Sequence, residues 1–455
     1  MVNRELDSIA ALAAVFSRHG RQLYLVGGSV RDGFLGRPTA DFDLATDAAP
    51  QEIKRLAALC HPDSMYTVGE KFGTIGLIFD GKSVEITTFR AEWYVPESRK
   101  PRVRFGSSLV EDLARRDFTI NAIAQNPLTG ETSDPFGGLR DLRDGIIRAV
   151  GDPEKRFTED PLRLMRGVRF AAELGFRIDP ATRQAIIACH ERLRTVSWER
   201  VRDELNRVIL SPQPGLGVRL LADTGLLSLT LPEVMALRGI GENDRRHKDV
   251  FEHTLAVVDN SERKLVQRWA ALLHDIGKPA TRTFEDRTVH FYDHDVLGAE
   301  LAKKALARLR VDARTAGKIV KLVRLHMRAN LYESTWTDSA VRRLIREAGD
   351  ELADLIALSG ADVTSRRPER VSAVAARVRE LEQRCSELIE REHVQELRSP
   401  LDGDQLMAIF ERPPGPWIRP IKDYLLAQVL DGRLAPDDVE SAAEMAREFV
   451  KEQGL

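Results

Sequence analysis

Asp41 and Asp43 stand one residue apart in the run Asp41-Phe-Asp-Leu-Ala-Thr46. On a strand, positions i and i+2 point to the same face, so the two carboxylates lie side by side. Like charges at that spacing repel, and a cation between them relieves the repulsion. Mg²⁺ is the natural ion, because it prefers hard oxygens and shares its coordination with substrate phosphates. Glu85, in Val84-Glu-Ile-Thr-Thr-Phe-Arg90, offers a third carboxylate, although an edge-strand glutamate facing solvent explains it equally well. Two metals on such a set would activate a 3′-hydroxyl and stabilise a leaving pyrophosphate in line.

Just upstream, Leu23-Tyr-Leu-Val-Gly-Gly-Ser-Val-Arg31 reads as a strand that ends in Gly27-Gly28 and passes into a helix near Ser29. Glycines there let backbone N–H groups approach a phosphate closely, and the helix N-terminus favours negative charge. Arg31, in the first turn, reaches the same anion. A glycine pair is commonly only a turn and D-x-D commonly a solvated loop, but their ordered combination is far more specific.

Glu159-Asp-Pro-Leu-Arg-Leu-Met-Arg-Gly-Val-Arg169 carries a third kind of chemistry. Pro161 suits the first turn of a helix, with Asp160 near its cap. Asp160, Arg163, Arg166 and Arg169 recur every third residue, on one slowly drifting stripe. Asp160 sets an acceptor beside the Arg163 donor. Cytosine and adenine each present an amine donor beside a ring-nitrogen acceptor, whereas guanine and uracil present a carbonyl acceptor beside a ring N–H. An Asp/Arg pair therefore accepts C and A, and unpaired buried groups penalise G and U. Arg166 and Arg169 would sit nearer the phosphates or brace the pair. A surface salt-bridge ladder is the bland alternative, weakened by three arginines with no acid following at helical spacing.

These residues need elements to hold them. From about residue 22 to 150, short β-like runs alternate with turns. From about 150 onward strand signals almost vanish and the pattern is helical, punctuated at Asp152-Pro153 and at Ser211-Pro-Gln-Pro-Gly215. The polar stretch from Gly239 to Arg246 reads as a linker. The chain of 455 residues exceeds one core and suits several domains. Its composition, 43% hydrophobic and 30% charged, is that of a soluble globular protein, and no apolar run approaches the roughly 20 residues a bilayer demands. The N-terminus reads as an amphipathic helix rather than a signal peptide. Cys60, Cys189 and Cys385 lie far apart and suit a reducing cytoplasm. With a net charge of −2, a nucleic-acid binder must concentrate its cations locally. Arg192, Arg194, Arg200 and Arg202 are candidates for that, solvated helix faces being the alternative.

Six segments occur in the order and spacing of a known family: Leu25-Val-Gly-Gly-Ser-Val-Arg-Asp32, Asp41–Thr46, Gly69-Glu-Lys-Phe-Gly-Thr-Ile75, Val84–Arg90, Arg115-Arg-Asp-Phe-Thr-Ile-Asn-Ala-Ile-Ala124 and Glu159–Phe176. Over roughly residues 20–235 the chain resembles the class II nucleotidyltransferases, that is, bacterial and eukaryotic CCA-adding enzymes and bacterial poly(A) polymerases. The resemblance implies Mg²⁺ on Asp41 and Asp43, and nucleoside triphosphate contacts from Gly28, Arg31 and Arg116, with Asp117 and Asn121 bracing that segment. It implies addition of C, C and A to the 3′ end of tRNA from CTP and ATP. The motifs are shared, so a poly(A) polymerase or an enzyme adding only A or only CC stays open. The helical body and tail would hold the tRNA acceptor stem by charge and shape, in a monomer or homodimer.

Behind this head, His253, His274-Asp275, His294, His326 and Asp362 occur in an order that resembles the HD phosphohydrolase superfamily. That resemblance implies one or two divalent ions, such as Mn²⁺, Ni²⁺ or Mg²⁺, and hydrolysis of phosphoesters, a 2′,3′-cyclic or 2′-phosphate at an RNA end being a fitting substrate. A buried His–Asp pair that satisfies itself is the alternative. His247, His290 and Asp293 read as loop residues nearby. The fold class expected is α+β: a small mixed-sheet nucleotidyltransferase head over 1–150, then an elongated all-α body. That body comprises a helical neck for nucleotide recognition over 151–240, an HD-type domain over 245–365 and a helical tRNA-binding tail over 366–455. A rival of another class makes the phosphohydrolase the enzyme and the head a mere RNA-binding module. Intact Asp41, Asp43 and Arg116 argue against it.

Overall fold

The computed structural model describes residues 3–39, 41–93, 102–106, 108–241, 249–285, 288–364, 367–392, 394 and 397–454. It divides into two units, Met1–Pro232 and Glu233–Leu455. The strands of the first are β1 (Leu23–Val26), β2 (Asp41–Thr46), β3 (Ser64–Tyr66), β4 (Thr74–Phe79), β5 (Lys82–Thr88), β6 (Arg90–Trp93), β7 (Arg102–Phe105), β8 (Ala124–Gln125) and β9 (Thr132–Ser133). Seven of them form one mixed sheet in the order β3-β4-β5-β2-β1-β8-β9, and β6 pairs with β7 apart from it. Within the sheet β2 and β5 run parallel, and the other pairings are antiparallel.

The alternation along β5 sets its two faces. Val84, Ile86 and Thr88 are buried and Glu85 between them is exposed. Val84 and Ile86 stand opposite Leu77 and Ile75 of β4, so four aliphatic side chains share one face. The helix Pro50–Ala58 lies on β4 and β5 and buries Ile53 and Leu56. In β2 the last three residues, Leu44 to Thr46, are buried, while Asp41 and Asp43 stay open at its N-terminal end.

Helices dominate the rest of this unit. The helix Leu162–Leu174 packs on Trp198–Ile209 and on Pro214–Asp223. Phe118 and Phe170 meet edge to face with ring centres 5.7 Å apart, tying the loop after Leu109–Ala114 to that helix.

The second unit is built of helices, among them Val250–Asn260, Leu265–Leu273, His294–Arg308, Ala313–Asn330, Leu352–Ala361 and Pro368–Glu392. A separate apolar cluster around Leu401, Leu406, Ile421 and Leu425 holds its C-terminal helices. One feature departs from an all-helical reading: Arg282–Glu285 and Thr288–Phe291 form an antiparallel hairpin. The alternating residues Thr288-Val-His-Phe291 carry that signal, in a run too short to stand out among helices. His290 therefore lies on a strand, stacked on Tyr292. Asp293 takes φ 56° and immediately precedes the helix His294–Arg308, and His247 falls outside the described residues. No described helix is long and apolar enough to cross a membrane. Cys60, Cys189 and Cys385 are free.

Candidate functional site

Asp43 of β2 stands directly opposite Glu85 of β5, and Asp41 opposite Ser83. Asp41, Asp43 and Glu85 thus share one face of the sheet. Because β5 lies between β4 and β2, Glu85 sits on an interior strand, which corrects the edge-strand alternative. Burial pushes the Asp43 carboxyl above its usual range; Arg116 opposes that shift and Asp41 adds to it. Burial raises Glu85 as well, followed by the Asp43 charge. These are carboxylates whose charge is costly to hold without a cation, and the set is all hard oxygen, as Mg²⁺ requires.

Gly27 caps the helix Gly28–Phe34 at φ 72°, in the region that only glycine enters readily. A Cβ there would lie 2.8 Å from Nη1 of Arg116 and 3.4 Å from Oδ2 of Asp43. The glycine turn, the arginine and the carboxylate therefore converge on one point. They line a cavity of about 870 Å³ together with Glu85, Arg31, Asp160 and Arg163.

A chain of charged hydrogen bonds runs under this cavity. Arg31 Nη1 donates to Asn121 Oδ1 at 2.8 Å, Asn121 Nδ2 donates to Asp117 Oδ1 at 3.0 Å, and Arg166 Nε donates to Asp117 Oδ2 at 2.6 Å. Burial alone would raise the Asp117 carboxyl, but Arg166, the Asn121 amide and Arg163 hold it down to about 2. The guanidinium carbons of Arg31, Arg166 and Arg169 lie 5.1, 5.2 and 4.2 Å from the centre of the Phe170 ring, within cation–π range. Arg169 is 1% exposed and donates to Glu204 at 3.1 Å. That geometry makes it a support beneath the cavity rather than a hand reaching into it.

Asp160 and Arg163 both line the cavity but are tied to different partners. Arg163 binds Glu159 at 3.0 Å and the Arg115 carbonyl at 2.8 Å. Asp160 lies between the helices Pro153–Glu159 and Leu162–Leu174, accepts from the Leu162 N–H at 3.2 Å, and pairs with Arg200 at 3.2 Å. Acceptor and donor are thus engaged with different partners while both line the cavity. Of the arginines expected to meet RNA, Arg200 turns to Asp160, while Arg194 pairs with Glu191 and Arg202 with Asp203.

Sequence reasoning passed over several residues here. Asp112 is buried and binds Arg115 at 2.7 Å and Arg116 at 3.4 Å; its spacing of four from Arg116 was the available signal. Phe170, four residues after Arg166, carried the same signal, whereas Glu204 gave none, since its partner Arg169 comes from another helix.

The second unit gathers its histidines more tightly. His253, His274 and Asp362 form one group and Asp275, His294 and His326 another, each with its ligand atoms within 4.8 Å of one another. Nδ1 of His274, His294 and His326 lies 2.8, 2.8 and 2.6 Å from the carbonyls of Ala271, Phe291 and Val323. A carbonyl only accepts, so each Nδ1 carries a proton and each ring turns its Nε2 inward. Nε2 of His253 stands 3.4 Å from that of His274, and those of His294 and His326 stand 3.3 Å apart. At that distance either a proton on one ring of each pair or a cation held between the rings satisfies the facing nitrogens. Asp362 Oδ1 lies 2.9 Å from Nε2 of His253 and 3.5 Å from that of His274. Burial alone would lower His274, but Asp275 and Asp362 raise it to about 10; burial and the His274 charge lower His326 to about 4. Four imidazoles and two carboxylates aimed inward form a donor set that fits divalent ions.

Comparison with known proteins bears on both regions. Residues 23–148 match the poly A polymerase head domain, 175–237 a probable RNA and SrmB-binding site of polymerase A, and 250–367 the HD domain. The A-adding tRNA nucleotidyltransferase of Deinococcus radiodurans is 34% identical over 410 residues, covering 86% of this chain and 88% of its own. The CCA-adding enzyme of Anoxybacillus flavithermus is 43% identical over 234 residues, 51% of this chain and 57% of its own. The chain spans about three-fifths of the length of the curated CCA-adding enzymes it matches first. Among solved structures, the Bacillus stearothermophilus CCA-adding enzyme in complex with CTP superposes with a TM-score of 0.71 at 27% identity, covering 100% of both chains.

Proposed function

Because the chain belongs to the tRNA nucleotidyltransferase family, we propose that it completes the tRNA 3′ end, adding C, C and A from CTP and ATP without a template. The observation that carries this is the meeting of Asp41, Asp43 and Glu85 with Asp160 and Arg163 on one cavity. Mg²⁺ held by Asp41 and Asp43 would activate the RNA 3′-hydroxyl and neutralise phosphate charge. The hydroxyl oxygen bonds to the α-phosphorus as the α–β bridge breaks, and pyrophosphate leaves. Arg31, Arg116 and the Gly27-Gly28 turn receive the triphosphate. Asp160 accepts the exocyclic amine of C or A while Arg163 donates to the neighbouring ring nitrogen, and Arg166 and Arg169 keep these groups in place. The acceptor stem is the partner RNA, bound by shape and phosphate charge. A second reading, addition of A alone, draws on the Deinococcus radiodurans relative, which aligns along most of the chain. Incubating tRNA that lacks CCA with each nucleotide separately and together separates them. Two C followed by one A supports the first reading; A joined only to tRNA ending in CC supports the second, and a long A tail sinks both.

The HD-type centre supports a further activity, metal-dependent hydrolysis of a phosphate at an RNA end. Its support is the inward aim of four imidazole nitrogens. Mn²⁺, Ni²⁺ or Mg²⁺ would serve there. Metal-free purified protein that takes up no divalent ion, with phosphatase activity unchanged in His274→Ala, sinks this activity.

A further inference from the structure

Beside the HD-type centre lies a pocket of about 320 Å³. Its wall includes Asp362 and Thr364, and both belong to the centre: Thr364 meets Nδ1 of His253 at 2.8 Å, and Asp362 lies 2.9 Å from Nε2 of the same ring. The centre is sealed elsewhere. The side chains of His274, Asp275 and His326 are at most 2% exposed, whereas those of His253 and Asp362 are 16% and 18% exposed. Access to the centre therefore runs past His253 and Asp362, the pocket side.

The opposite wall is a stripe of the helix Pro368–Glu392: Arg370, Val374, Arg377, Val378 and Leu381. These positions, at i, i+4, i+7, i+8 and i+11, make one helix face. Such a face is ordinarily apolar core, and three of its five members obey that rule. Arg370 and Arg377 break it, and among the described residues neither has an ion-pair or hydrogen-bond partner. Two guanidiniums without acids, two helical turns apart on the wall facing a buried histidine and carboxylate cluster, are anion receptors. The volume is at the lower end for small-molecule pockets, room for a single nucleotide unit.

We infer that this pocket is the substrate subsite of the HD-type centre, taking the terminal phosphate of one ribonucleotide, with Arg370 and Arg377 holding phosphate oxygens. The inference rests on the hydrolase reading of that centre. The ligand is a ribose phosphate, supplied either by a free mononucleotide or by an RNA end. The full chain loaded with Mn²⁺ is titrated calorimetrically with adenosine 3′-monophosphate, with adenosine, and with a triribonucleotide ending in a 3′-phosphate. Arg370→Ala and Arg377→Ala should each weaken phosphate-bearing ligands roughly 10-fold, leave adenosine unchanged, and leave Mn²⁺ uptake and thermal stability as in the wild type. Both substitutions are at exposed positions, and neither touches the head cavity, whose contribution to binding is equal in all variants. A triribonucleotide that binds at least as tightly as the mononucleotide identifies an RNA end as the source; preference for the mononucleotide identifies free nucleotide. Undiminished phosphate affinity in the double variant, with Mn²⁺ still bound, overturns the subsite alone. A wild type that takes up no Mn²⁺ overturns the hydrolase reading and the subsite with it.

Discussion

The head cavity and the HD-type centre solve the same problem, holding charge near a phosphate, in opposite ways. In the head, bracing is long-range: Arg31 reaches Asn121 across 90 residues, Arg166 reaches Asp117 across 49, and Arg169 reaches Glu204 across 35. In the HD-type centre three of four rings are aimed by a carbonyl three residues back. One site is an open cavity of paired charges, the other a largely covered cluster of imidazoles and carboxylates. The difference teaches that a wide cavity can be braced by tertiary contacts, while a compact histidine cluster can be aimed largely by contacts three residues away in the chain.

The largest expected effect tests the carboxylate face. Asp41→Ala should lower nucleotide incorporation by about 10³-fold or more, while Mn²⁺ uptake by the second unit stays as it was; incorporation on CCA-less tRNA and metal titration read the two. Asp117→Asn comes next, since it cuts the head's chain in the middle. Incorporation should fall about 10²-fold, with a rise in KM for the nucleotide. Its acid behaviour is specific. The folded Asp117 carboxyl lies near 2, below its unfolded value of 3.8, so it stabilises the fold above about pH 4, and that stability is lost as pH falls toward 2. The loss is about 2 kcal/mol, so the melting-temperature gap between wild type and Asp117→Asn should narrow through that window. A constant gap would break the link between bracing and charge.

Asp160→Asn should leave the first unit folded and relax base choice, because the amide offers a donor as well as an acceptor. Preference for CTP over UTP should fall about 10-fold, read by competition on CCA-less tRNA. Arg200→Ala is the mildest. The Asp160–Arg200 pair is 29% and 50% exposed, so its loss should change stability by less than about 1 kcal/mol and the nucleotide KM by a few-fold.

What was legible follows the same division. Asp41, Asp43 and the Gly27-Gly28 turn are local patterns, and a strand's period of two dictates that both carboxylates share a face. The histidine order was also legible, because three of the four rings are placed by a carbonyl three residues back. The reach of Arg31 to the Phe170 ring, the Arg169–Glu204 pair and the turn of Arg200 toward Asp160 were not. Each depends on packing between segments, and a one-dimensional pattern carries no such distance. The hairpin Arg282–Glu285 with Thr288–Phe291 was missed because two four-residue strands are weaker signals than the helices around them.

The Nδ1 contacts of His274, His294 and His326 bear on assembly as well as on ligation. Each ring has its Nδ1 side held by a carbonyl three residues back, a contact that does not depend on how the helices dock. Docking those helices then brings nitrogens together that already point the right way. The inward aim of these three rings is therefore a property of the chain itself, set without help from any bound group.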